Sequence, residues 1–170
     1  MQVIDWQVIV KKYGFIVWQI AYRLLDNEAD AADCFQETFI CALEVSRRQR
    51  VRKFPALLAR LATNRAIDKL RQRISQSKTG ANAVDLAALP NKNFSPAEQV
   101  QSRELAERLR KALTKLPMQE AEVFCLRYLS EMSYRQIAKE LKITINLVGV
   151  LLHRAKAKLA ESLNYLRCGE

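Results

Sequence analysis

Apolar residues return every three or four positions from the start of the chain: Trp6, Ile9, Val10, Tyr13, Ile16, Val17, Ile20, Ala21, Leu24 and Leu25. This period predicts one amphipathic helix, or two joined near Gly14. Asp26-Asn27 offers N-cap side chains for a second helix, expected to run to about Val45. A third is expected from Phe54-Pro55, with Pro55 suited to a first turn, burying Phe54, Leu57, Leu58, Leu61, Ala62 and Leu70. The period is lost in SQSKTGANAVDLAALPNKNFSP, which is too long for an ordinary connection within a domain and reads as a flexible linker. Ser95-Pro96-Ala97-Glu98 then has the order of an N-cap, a proline in the first turn and a capping-box acid. The helix it opens is expected to reach Lys115, where Leu116-Pro117 breaks it before another over 118–129. SYRQIAKELK followed by ITINLVGVLLHRAKAKL has the rhythm of a helix-turn-helix. Short runs of alternating β-branched residues are few, so the fold class is all-α. It comprises two small helical domains, 1–74 and 96–170, joined by the linker 75–95.

Charge changes this picture more than composition does. The net charge is +10, which favours a polyanionic partner, nucleic acid before anionic membrane. It is unevenly placed. SRRQRVRKF carries Arg47, Arg48, Arg50, Arg52 and Lys53 within seven residues, a run that self-repels unless phosphates neutralise it. Further along, Arg60, Asn64, Asp68 and Arg71 recur at helical spacing as a polar stripe opposite Leu57, Leu58 and Leu61. An asparagine between cations can bind a base edge or an extruded base, or it can cap a neighbouring loop. Upstream the sign reverses: Asp26, Asp30, Asp33 and Glu37 fall on one helical stripe. Such a stripe is either a solvated face near a positive helix N-terminus or a docking strip for a basic partner.

Several classes are set aside by what is missing. No stretch approaches the roughly 18 apolar residues of a membrane span, so no membrane insertion is expected. The N-terminus has neither the charged region nor the cleavage site of a secretory signal. Cys34, Cys41, Cys125 and Cys168 form no C-x-x-C pair and have no metal spacing with the single His153. They read as reduced thiols of a cytoplasmic protein, three of them in the core, with no metal and no cofactor. One histidine, no glycine-rich phosphate loop and no nucleophile–base pair argue against an enzyme.

With these residues in view, the chain resembles the extracytoplasmic-function sigma factors of bacterial RNA polymerase. Ala31, Asp33, Gln36, Glu37 and Phe39 stand in the pattern of that family's polymerase-binding helix. FPALLARLATNRAIDKLRQR, with Phe54, Leu58, Ala62, Asn64, Asp68 and Arg71 in register, resembles its promoter-melting helix. The stretch from SPAEQ to LHRAKAKL resembles its region 4, and the three come in the family's order. The resemblance implies that Asp30, Asp33, Gln36 and Glu37 meet the clamp helices of core polymerase. It implies that Arg47, Arg48, Arg50, Arg52, Lys53, Arg60, Asn64, Arg65 and Arg71 serve −10 recognition and melting. Arg135, Asn146, Val150, His153, Arg154 and Lys156 would serve the −35 element, with the polymerase flap a second contact and the linker threading toward the RNA exit path. Factors of this kind often have an anti-sigma partner.

Departures from the pattern matter. Leu57 replaces a usual tryptophan, Lys142 a usual turn glycine, Gln136 a usual glutamate, and Gly149-Val150-Leu151 a polar triplet at the start of the reading helix. At about 100° per residue, Val148, Leu152, Ala155 and Leu159 share a core face with Leu151 at its edge. Asn146, Val150, His153 and Ala157 face outward, flanked by Gly149 and Arg154, with Lys156 and Lys158 on the shoulders. Few of these read bases. Two other readings therefore stand beside a sigma factor: a degenerate sigma-like adaptor without promoter reading, and a stand-alone helix-turn-helix regulator.

Overall fold

A computed structural model describes residues 4–78 and 96–167. Among them are seven helices and no strand: α1 (Trp6–Leu25), α2 (Glu28–Arg48), α3 (Phe54–Lys78), α4 (Pro96–Lys115), α5 (Met118–Tyr128), α6 (Tyr134–Leu141) and α7 (Ile145–Arg167). The all-α expectation is met, in two helical units, α1–α3 and α4–α7.

The first helix is single. Asp5 caps it by accepting from the Gln7 and Val8 amides, and it runs unbroken through Gly14. Glycine there serves packing, not a bend: the Phe35 ring of α2 lies 3.4 Å from where a Cβ would stand. Asn27 caps α2 by accepting from the Asp30 amide at 2.9 Å, as its side chain suggested. That helix continues three residues past Val45, ending with Arg47 and Arg48 in its last turn, where cations suit the negative end of the dipole. The third helix also overruns its expected end, reaching Lys78, so 75–78 are helical and not linker; 79–95 and the Ser95 cap lie outside the described residues.

The core of the first unit brings Val17, Ile20, Leu24 and Leu25 of α1 against Ala31, Cys34, Phe39 and Ala42 of α2 and Leu58, Ala62, Ile67 and Leu70 of α3. Leu57 is buried, while Phe54 and Leu61 pack at the margin. Burial pushes the Cys34 thiol up to about 11 and Cys125 to about 12, so both are inert packing groups; Cys41 is only half-buried and Cys168 is outside the described residues.

In the second unit Ser133 and Gln136 form a reciprocal capping box, so the glutamine does the work of the usual glutamate at the start of α6. Its C-cap, Lys142, is left-handed at φ 56°, ψ 42°, and donates its amide to the Ala138 carbonyl. That conformation costs a non-glycine residue about 1 kcal/mol. Lys142→Gly should therefore raise the melting temperature by about 2–4 °C, as expected for a chain of this size; calorimetry showing a fall would mean that the lysine side chain contributes more than its backbone costs. The reading of α7 by angle holds: Val148, Leu151, Leu152, Ala155 and Leu159 are buried.

The two units also pack on each other. α3 contacts α4, α5 and α6 across that junction, bringing its polar stripe against the second unit.

Candidate nucleic-acid interface

Five cations mark the end of α2 and the turn into α3. Arg47, Arg48, Arg50, Arg52 and Lys53 are all exposed, and none makes a hydrogen bond or ion pair among the described residues. The chain leaves α2 through Gln49, whose amide closes the helix on the Val45 carbonyl, and re-enters helix at Phe54. A short connection between two packed helices thus presents the whole charge run to solvent. It can bind phosphates without first breaking protein contacts.

The stripe on α3 is placed differently. Arg60 pairs with the Glu140 carboxylate at 3.4 Å and donates to the Glu140 carbonyl at 3.3 Å. Asn64 donates through Nδ2 to Glu122 Oε1 at 2.9 Å. Arg71 donates to the Leu116 carbonyl at 2.8 Å and lies against the Met118 sulfur. At the far end of the junction Arg110 of α4 pairs with Asp26 and donates to the Arg23 carbonyl. Three of the four stripe residues are therefore held by the second unit, while Asp68 stays exposed. Arg65 stays exposed too and donates to the Cys41 sulfur.

This junction is costly to keep. Glu122 is buried, and Asn64 Oδ1 is buried with no hydrogen-bond partner. An unsatisfied buried acceptor costs about 1–3 kcal/mol. Burial holds the Glu122 carboxyl above its usual range despite the Asn64 hydrogen bond and nearby Arg60. Burial does the same to Glu140, against Arg60 and with Glu122 adding repulsion. Both groups bind protons more tightly in the closed arrangement than when exposed. Closure is therefore most favourable below the ordinary glutamate value of 4.5 and weakens as pH rises through the elevated values. Small-angle scattering should show the particle expanding as pH is raised across that window. The double variant Glu122→Gln, Glu140→Gln should stay compact at every pH; a variant expanding as the parent does would refute the linkage.

The acidic face of α2 is partly neutralised from within. Glu37 pairs with Lys69 at 3.1 Å and Asp30 with Arg73 at 3.6 Å. Asp33 and Gln36 are exposed and have no such partner among the described residues.

On α7 the outward side chains are where the angular reading puts them: Asn146, Val150, His153 and Arg154 are exposed, as is Arg135 on α6. With Tyr134, Ile145 and Gly149 the first four line a shallow groove between the two helices. Lys156 sits 5.3 Å from the Tyr128 ring centre and is exposed. Lys158, expected on a free shoulder, instead closes on the buried Glu120 at 2.8 Å. Sequence reasoning missed Glu120, Glu122 and Glu140 altogether. Carboxylates on helices read as solvated, and only the partners across the fold reveal them. Tyr134 was missed as well, because its place in this groove depends on how α6 crosses α7.

Residues 9–75 match the sigma-70 region 2 family and residues 106–159 the sigma-70 region 4 family. The chain is 30% identical over 165 residues to the ECF RNA polymerase sigma factor SigW of Bacillus subtilis, covering 93% of this chain and 88% of that protein. In fold it is similar to CnrH, a sigma factor of Cupriavidus metallidurans solved in complex with the cytosolic domain of CnrY. That superposition has a TM-score of 0.58 at 24% identity and covers 94% of this chain and 87% of the other. It is also similar to the sigma factor RpoE of Bartonella quintana, solved with the anti-sigma factor NepR, at a TM-score of 0.56 and 21% identity over 93% and 98% of the two chains.

Proposed function

The chain belongs to the extracytoplasmic-function sigma factors, which direct RNA polymerase to promoters, and from that premise we propose how its surfaces divide the work. Residues 1–78 form the unit that binds core polymerase and opens the −10 element, and 96–170 the unit that meets the −35 element, with 79–95 between them. Asp33 and Gln36 make the central contact to the polymerase clamp helices, flanked by Asp30 and Glu37. The cationic turn from Arg47 to Lys53 holds the separated strand. Asn64, with Arg60, Arg65 and Arg71, captures a base extruded from the duplex. The second unit contacts the polymerase flap as well as DNA. The chain acts through binding free energy alone, without catalysis of its own, and works in the cytoplasm where polymerase is. Among the described residues no helix is long and apolar enough to cross a membrane.

One observation carries this reading. Within the stretch that matches region 2, five exposed cations, unpaired among the described residues, lead directly into the helix that bears Asn64. The closed junction adds a condition. Asn64 cannot hold a base while it donates to Glu122, so engagement with polymerase must separate the two units, and the polar, desolvated character of the contacts keeps that separation cheap. A partner of the class seen with CnrH and RpoE would act by keeping the chain from polymerase.

Run-off transcription by core polymerase on a promoter library tests the proposal. Adding the chain should produce transcripts with defined starts; no start-site selection would overturn it. An adaptor that binds polymerase but reads no upstream element is the second reading, favoured by the apolar outer face of α7. On a promoter set with varied −35 sequences it predicts uniform output.

A further inference from the structure

The start of α7 lacks the polar side chains expected of a reading helix, and what replaces them is not random. Tyr134 is 40% exposed, Ile145 46% and Val150 44%, and all three line the groove between α6 and α7. Large apolar side chains left this open and adjacent mark a surface that is covered in use. Gly149 lies between them. Glycine inside a helix costs about 1 kcal/mol relative to alanine, and here no packing demands it: the nearest atom to an added Cβ, on the Tyr134 ring, is at 3.9 Å, an ordinary contact. The glycine does one thing for the surface. It leaves open the space that a methyl at its Cβ would take, beside the Tyr134 ring.

The charge around the groove selects its occupant. Its other lining residues are Asn146, His153 and Arg154, Arg135 stands beside Tyr134, and no carboxylate lines it. A cationic rim around an apolar floor, at the first turns of the second helix of a helix-turn-helix, is placed where base edges arrive in a major groove. The apolar group that duplex DNA presents there is the C5-methyl of thymine. We propose that α7 reads the upstream element through thymine methyl groups seated against Tyr134, Ile145, Gly149 and Val150. Asn146 and Arg154 supply the hydrogen bonds at the margin. This rests on α7 being the −35 helix and specifies what that helix recognises. The upstream element of this factor is thymine-bearing at the positions facing Gly149 and Val150, and its specificity is carried by shape and methyl contact more than by hydrogen bonds.

The test uses holoenzyme reconstituted from the full chain and core polymerase. Sequences are selected by run-off output from a library randomised upstream, and the selected promoter is then rebuilt with deoxyuridine replacing thymine at each upstream position in turn. Removing a seated methyl should lower promoter affinity about fourfold, the value for one buried CH₂ group. Gly149→Ala, which should fold at least as stably, fills the space: it should lose a similar factor on the thymine promoter and respond no further to deoxyuridine. Selected elements without thymine, or equal affinity for thymine and deoxyuridine promoters, would overturn the proposal while leaving promoter-directed transcription intact. If Gly149→Ala instead weakens binding to core polymerase in the absence of DNA, the groove seats a protein and the proposal fails. Absence of any directed transcription would remove both this inference and the sigma-factor assignments beneath it.

Discussion

Replacing Asp33 with arginine is expected to lower the affinity of the chain for core polymerase by two orders of magnitude or more, with no loss of melting temperature. Asp33 is singled out by what its neighbours do. Arg73 engages Asp30, Lys69 engages Glu37 and Arg110 engages Asp26, so three acids of the stripe already have intramolecular partners. Asp33 is exposed and unpaired among the described residues, which leaves its charge available to a basic surface. Reversing it removes an attraction and adds a repulsion at the same point, a change on the order of 2–5 kcal/mol when the contact is desolvated. Within the free chain the substitution relieves like-charge crowding with Asp30 and Glu37, worth a few tenths of a kcal/mol. Anisotropy titration of labelled chain with core polymerase measures the first effect and circular dichroism melting the second. Unchanged affinity would remove the docking assignment. Asp30→Ala is the contrast: it frees Arg73 and should cost far less than the reversal at 33.

What was legible in the sequence was whatever depends on neighbours within one helix. Apolar spacing and the helix-turn-helix rhythm located the helices, with α1 left as one or two, Asn27 marked the cap of α2, and the angular position of Val148, Leu152, Ala155 and Leu159 marked the buried face of α7. Lys142 was recognisable as a lysine in a glycine's place only through the family resemblance, and the structure shows it left-handed there. The helix ends at Arg48 and Lys78 were less visible, since Arg, Ser, Gln and Lys continue a helix as readily as they leave it.

The junction between the units was not legible, because nothing in a one-dimensional pattern pairs Asn64 with Glu122 or Arg60 with Glu140. The polar stripe of α3 was correctly separated from the apolar one, yet its occupant in the closed chain is carboxylate and carbonyl. Two roles were open to an asparagine there, base capture and capping a neighbouring loop; in the free chain Asn64 instead donates to the Glu122 side chain of helix α5. Base capture and this contact are compatible in sequence: a carboxylate and a backbone carbonyl offer Asn64, Arg60 and Arg71 acceptors of the same kind that phosphates and base edges offer. The second unit thus supplies acceptors to three donors of the stripe, while Asn64 Oδ1 is left buried without a partner among the described residues.

Neutralising the turn, by glutamine at Arg47, Arg48, Arg50, Arg52 and Lys53 together, should reduce promoter affinity of the holoenzyme at least a hundredfold at moderate salt. These side chains make no hydrogen bond or ion pair among the described residues, and the dipole stabilisation lost with Arg47 and Arg48 at the end of α2 is offset by relief of self-repulsion among five like charges, so thermal stability should change little. The loss should shrink as salt increases, because each lost phosphate contact also removes a released counterion. The slope of log affinity against log salt separates two geometries. If the turn lies on duplex, removing five contacts flattens it by about 4.5; if it lies on a separated strand, by about 3.5. The proposal places a single strand there, so the smaller value is expected on promoter DNA and should be reproduced on a duplex with a pre-opened −10 region. A slope unchanged by the substitutions would make the turn a merely solvated charge run. The larger value would move it upstream, onto the closed duplex, and leave strand capture to α3 alone.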